Sequence, residues 1–199
     1  EKREAEEAVK RAMQLKGEGS TLNDQVILYR TNAQSRLFEE ACMRAGVPYR
    51  IVGGLKFYAR KEVKDVVAYL HTILNPGDTV SLLRILNVPS RKIGLTTISK
   101  LQAYASENGL NLWQTLKEVE NVDLNEPTKE RISKFVSLIQ EYKKLSETEV
   151  VSELTTHLLR QIDMERWLRD DTDEGETRWE NVQELLSVMH KYDVLDPHT

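Results

Sequence analysis

The chain's 199 residues allow one large domain or two small ones, and no apolar run approaches the roughly 20 residues that a membrane-spanning helix needs. Cys42 is the only cysteine, which excludes an intrachain disulfide and a cysteine-based zinc site; His71, His157, His190 and His198 lack the spacing of metal ligands, so no metal site is expected. The net charge of −4 argues mildly against nucleic acid, but residues 1–117 hold 18 lysines and arginines against 12 acidic residues, while residues 118–199 hold 10 against 20.

Residues 1–16 place Ala5, Ala8, Val9, Ala12 and Met13 at helical spacing among charged residues, and Gly17-Glu18-Gly19-Ser20 ends that helix. The opening Glu1-Lys2-Arg3-Glu4 is not a signal peptide, so a cytoplasmic location is expected. Residues 26–29 read as a buried strand. Residues 31–45 read as a helix with Leu37, Ala41 and Ala45 on one face, and residues 49–52 as a second strand beyond Gly46-Val47-Pro48. This is a piece of a parallel α/β sheet, yet two strands are too few for a stable one, and no later segment supplies more.

After Gly53-Gly54 the pattern becomes all-helical. Val63, Val66, Val67, Leu70, Ile73 and Leu74 form an apolar stripe, and Asn75-Pro76-Gly77-Asp78 is a turn. Helices are expected over 81–87 and 95–105, joined by a tight Pro/Gly turn, and a short one around Leu112, Leu116 and Val119. A longer helix carries Ile132 to Leu145, another Val150 to Ile162, and a last one Val182 to Met189. Residues 170–176 are expected to be a solvated acidic loop whose register fails as a calcium loop. The expected fold is therefore mainly α, with a small incomplete α/β piece over residues 1–54 and an all-helical part over 55–199.

Two constellations carry chemistry. Tyr29 and Arg30 stand where the first strand stops, the place where open α/β sheets bind ligands; the ring can stack on a base and the guanidinium can reach a phosphate. Residues 79–106 contain four basic and no acidic residues. There a turn opens onto a helix N-terminus, whose unpaired N–H groups suit an anion. Gly94 permits close approach of a phosphate, Arg91, Lys92 and Lys100 add charge, and Thr96 and Thr97 add hydroxyls. Arg178 and Glu180 are expected to form a structural ion pair. No Gly-x-x-x-x-Gly-Lys-Ser/Thr occurs, so the chain alone should bind neither ATP nor Mg2+ in a primary site.

Four motifs in order carry a resemblance. Tyr29-Arg30-Thr31-Asn32-Ala33-Gln34-Ser35-Arg36 resembles motif IV of superfamily-1 helicases of the UvrD/PcrA/Rep type. Gly53-Gly54-Leu55-Lys56-Phe57-Tyr58-Ala59-Arg60-Lys61-Glu62-Val63-Lys64-Asp65 is similar to the family's next motif. Asn87-Val88-Pro89-Ser90-Arg91-Lys92-Ile93-Gly94 resembles its helix-hairpin-helix turn, with Lys92 where the family usually has glycine, and Thr177-Arg178-Trp179-Glu180-Asn181 resembles its Thr-Arg-x-Glu-Asn signature. The resemblance implies a RecA-like 2A piece over 1–54 and a helical 2B-like subdomain over 55–199. It implies that Tyr29 stacks on adenine and that Arg30 is an arginine finger for the γ-phosphate. It further implies a parent ATP-dependent 3′–5′ DNA helicase or translocase using ATP and Mg2+. The partners implied are DNA at a single-strand/duplex junction and the remaining helicase subdomains; repair or transcription proteins are compatible further partners, and a membrane is not. The rival readings are a non-enzymatic helix-hairpin-helix DNA-binding module and an autoinhibitory or protein-interaction module.

Overall fold

The computed structural model describes residues 2–195. Helix α1 (Lys2–Gly17) buries Ala5 and Val9 against Leu37, Ala41 and Cys42 of α2 (Ser35–Arg44) and against Val47, a small core of its own. Helix α3 (Lys61–Leu74) is the central element, apolar on two sides. Asp78 accepts from the Val80 and Ser81 N–H groups at 3.1 and 3.3 Å and so opens α4 (Thr79–Ile85). Helix α5 (Leu95–Asn108) ends on Gly109, which adopts the left-handed conformation that glycine takes without steric cost.

Asn111 and Gln114 form a reciprocal capping box that starts α6 (Leu112–Lys117). Asn125, followed by Pro127 in the first turn, starts α7 (Glu126–Leu145). Helix α8 (Val151–Gln161) leads to the short α9 (Met164–Arg169) and the long α10 (Asp173–Leu195).

Two cores meet on α3. Tyr69 and Ile73 join Leu82, Ile85, Leu101, Leu116, Phe135 and Leu158 in the larger one. Val63 and Val66 join Phe57, Leu159, Met164, Leu168, Val182 and Leu185 in the other. Periodicity at i, i+3 and i+7 lets one helix serve both, because its apolar arc is wide.

Three expectations are corrected. No strand occurs among the described residues. Residues 26–29 and 49–52 lie outside any helix and form no ladder with each other; Val26, Leu28 and Val52 are 78, 85 and 81% exposed. A strand needs a neighbour to hold its N–H and C=O groups, and among the described residues none is supplied. The acidic segment 170–176 is only in part a loop, because α10 begins at Asp173. The Thr172 hydroxyl accepts from the Gly175 N–H at 2.9 Å, and Asp173, Glu174 and Glu176 sit in the first turn, where carboxylates favour the helix dipole. Arg178 pairs with Asp170 at 2.6 Å rather than with Glu180, because Asp170 closes the corner between α9 and α10 directly against it.

No helix among the described residues is long and apolar enough to cross a membrane.

Candidate functional site

Exposure alternates along residues 26–30: Ile27 and Tyr29 are half-buried, and Val26, Leu28 and Arg30 are exposed. The Tyr29 ring stacks on Phe38 of α2, with centroids 6.1 Å apart and planes 18° from parallel. This ties the residue before Arg30 to α2. The next turn is a capping box: the Gln34 side-chain oxygen accepts from the Arg30 N–H at 2.9 Å and the Thr31 N–H at 3.4 Å. Among the described residues nothing pairs with the Arg30 guanidinium. A shallow cleft of ≈300 Å3 lies beside it, with Tyr29, Arg30 and Asn32 on one side and Asp173, Glu176 and Glu180 of α10 on the other.

Behind this turn lies a buried polar network that the sequence reading did not assemble. Arg60 is 7% exposed and donates to the Ser35 hydroxyl and to Asn181 Oδ1, each at 2.6 Å, and to the Leu55 carbonyl at 3.4 Å. The Ser35 hydroxyl donates to Glu39 at 2.9 Å, and Asn181 Nδ2 donates to Glu62 at 2.6 Å. Glu39 also accepts from the Phe57 N–H at 3.1 Å. Burial pulls the Arg60 pKa down, against the fields of Glu39 and Glu62. Next to it, Arg36 of α2 is 3% exposed and donates to Glu184 of α10 at 2.7 Å and to Glu40. The signal for this network was present as Ser35 and Glu39 one turn apart on α2 with Arg36 beside them; its partners on α10 are distant in sequence.

The second constellation is the turn between α4 and α5. Arg91 is half-buried and spends its guanidinium internally: Nη1 donates to the carbonyls of Ile85 and Val88 at 3.0 Å, Nη2 donates to the Tyr69 hydroxyl, and the group lies 5.0 Å from the Phe135 ring centroid. Asn87 Oδ1 accepts from the N–H groups of Arg91 and Ile93 at 2.7 and 3.1 Å. Lys92 takes the left-handed conformation at φ 58°, so the position where the family usually has glycine does need a positive φ. Gly94, at φ −89°, is the N-cap of α5, and a Cβ there would meet nothing within 4 Å. No side chain caps this helix start. Lys92, Gly94 and Thr96 are exposed and Thr97 is half-buried, whereas the Lys100 amine is engaged by Asp123 at 2.8 Å.

A family model described as the UvrD-like helicase C-terminal domain matches residues 1–198. The chain belongs to this family of DNA-helicase C-terminal domains. It is 39% identical over 198 residues to the ATP-dependent DNA helicase PcrA of Staphylococcus epidermidis (strain ATCC 35984), covering 99% of this chain and 27% of that protein. It is 39% identical over 173 residues to the PcrA helicase of Bacillus subtilis (strain 168), covering 86% of this chain and 23% of that protein. The Staphylococcus aureus (strain Mu50) helicase of the same name is 38% identical over 198 residues. The chain thus spans 27% or less of the length of these curated relatives.

Proposed function

We propose that this chain is a piece of an ATP-dependent DNA helicase or translocase moving 3′–5′ on single-stranded DNA. It supplies one side of the ATP cleft through Tyr29 and Arg30, and a duplex-contacting surface through the turn before α5. The single observation that carries this reading is Arg30: an exposed guanidinium without a described partner, held at its backbone by Gln34, beside a stacked tyrosine. A guanidinium presented from a held backbone suits charge developing on a transferred phosphoryl group. The residues present fit two parts of ATP, the ring at Tyr29 and the terminal phosphate at Arg30. They do not fit Mg2+, since no group of three carboxylate, histidine or cysteine side chains suited to a cation occurs among the described residues. On this reading the phosphate loop and the metal ligands belong to other parts of the parent enzyme.

The same reading divides the chain into a RecA-like 2A piece over 1–54 and a helical 2B-like part over 55–199. The unpaired, exposed side chains of Val26, Leu28 and Val52 support it, because a parallel sheet covers both faces of its strands. Helix α4, the Lys92 turn and α5 act as a helix-hairpin-helix. Gly94, Thr96, Thr97 and Lys92 meet duplex phosphates, which position DNA without reading its sequence. Arg91 serves this surface by holding the turn, and Lys100 by exchanging Asp123 for a phosphate. DNA at a single-strand/duplex junction and the remaining subdomains are the partners, and repair or transcription proteins fit the exposed acidic helices.

The test is Arg30→Ala in the full-length parent protein. ATP turnover on saturating single-stranded DNA should fall by about 10³-fold, with ATP binding far less affected. Turnover near that of the unaltered enzyme would overturn the reading. The 1–199 chain alone, free of contaminating enzyme, should show no DNA-stimulated hydrolysis.

A further inference from the structure

The Arg60 network joins residues that no single element could bring together. Glu39 and Ser35 come from α2, Arg60 from the residue before α3, Glu62 from its first turn, and Asn181 from α10. It has an unusual construction for a buried cation. No carboxylate lies within ion-pair distance of Arg60 among the described residues. Two buried carboxylates, Glu39 and Glu62, reach it only through neutral relays, the Ser35 hydroxyl and the Asn181 amide. Stability alone does not call for such an arrangement, because well-packed apolar side chains of similar volume would serve as well. What a planar guanidinium held by two oxygens does supply is fixed orientation.

The orientation it fixes is that of Ser35, which directly follows the capping box. Gln34 holds the Arg30 and Thr31 N–H groups, and Ser35 begins α2. Residues 30–35 are thus one hydrogen-bonded turn, tied at one end to Arg60. We propose that Arg60, with Ser35 and Asn181, is a positioning residue for Arg30, setting where the guanidinium stands when the ATP cleft closes. This rests on the proposed helicase reading.

The test is epistasis in the full-length parent enzyme, on saturating single-stranded DNA. Ser35→Ala and Asn181→Ala are each made alone and in an Arg30→Ala background, with folding verified by circular dichroism. Each should lower kcat by about tenfold, with KM for ATP changed by less than about twofold, because a misplaced group is lost from the transition state rather than from binding. In the Arg30→Ala background neither should lower the single-turnover rate further. A variant that only loosened the fold would act equally in both backgrounds, and that result would overturn the proposal while leaving the role of Arg30 intact. An Arg30→Ala enzyme as active as the unaltered one would overturn both. If Asn181→Ala fails to fold, Arg60→Lys takes its place with the same expected loss, since an ammonium keeps the charge but cannot hold both oxygens in one planar fork.

Discussion

Lys92 holds φ at 58° at the outer edge of the turn before α5, with its side chain exposed. A side chain in this region brings Cβ too close to the following carbonyl, at roughly 1 kcal/mol or more, which glycine avoids. Lys92→Gly should therefore raise stability by up to about 1 kcal/mol, reduced by the freedom glycine adds to the unfolded chain. The same change removes one cation from the surface proposed to meet phosphate. The log–log salt slope of duplex binding should fall by about one. Urea unfolding and a salt titration on the same preparation give both numbers. An unchanged slope would mean that Lys92 does not face phosphate, and a loss of stability would mean that its backbone is unstrained. Arg91 is a poorer probe of DNA contact, because its truncation frees the carbonyls of Ile85, Leu86, Val88 and Pro89 and removes the donor to the Tyr69 hydroxyl at the same time.

At the scale of elements, the corner between α9 and α10 depends on one glycine. Gly175 is buried in the first turn of α10, and a Cβ built there would overlap the backbone carbonyl of Arg169. That neighbour is backbone and cannot turn away as a side chain would. Gly175→Ala should cost stability toward the upper end of the range of about 1–3 kcal/mol typical of overpacking. Gly94→Ala, with open space at its Cβ and an ordinary φ, should leave the midpoint of denaturant unfolding nearly unmoved. Equal midpoints for the two variants would show that the corner can relax. The sequence reading took this corner for a solvated loop because six of its residues are polar or charged. The helix is there because the same carboxylates sit in the first turn beyond Thr172, where they favour the dipole. Helices with long apolar stripes, such as α3 and α7, were legible from periodicity, whereas the starts that Asp78, Asn111 and Asn125 cap were not read from the sequence. Helix α9 was not, since six residues give too little period. The Arg60–Asn181 pair was unreadable for another reason: 121 positions separate its members, and only the packing of α10 against α3 brings them together.

For the whole molecule the open question of physics is the backbone of residues 26–29 and 49–52. The N–H groups of 26–29 have no acceptor among the described residues, and Val26, Leu28 and Val52 stand in solvent. Their composition, β-branched and apolar with alternating exposure, is that of strands rather than of loops. On the reading that the chain is one piece of a larger helicase, strands from elsewhere in the parent cover these faces and accept these N–H groups. Hydrogen–deuterium exchange distinguishes the two states. In the 1–199 chain the amides of 26–29 should exchange at nearly the rate of unprotected peptide, while those in the middle of α3 and α7 are protected by global stability. In the full-length protein the amides of 26–29 should become protected to the level of a sheet core, and those of α3 should change far less. Fast exchange at 26–29 in both proteins would mean that these residues never enter a sheet. Arg30 would then sit at the end of a mobile segment, and the held backbone on which the proposed ATP cleft depends would be lost with it.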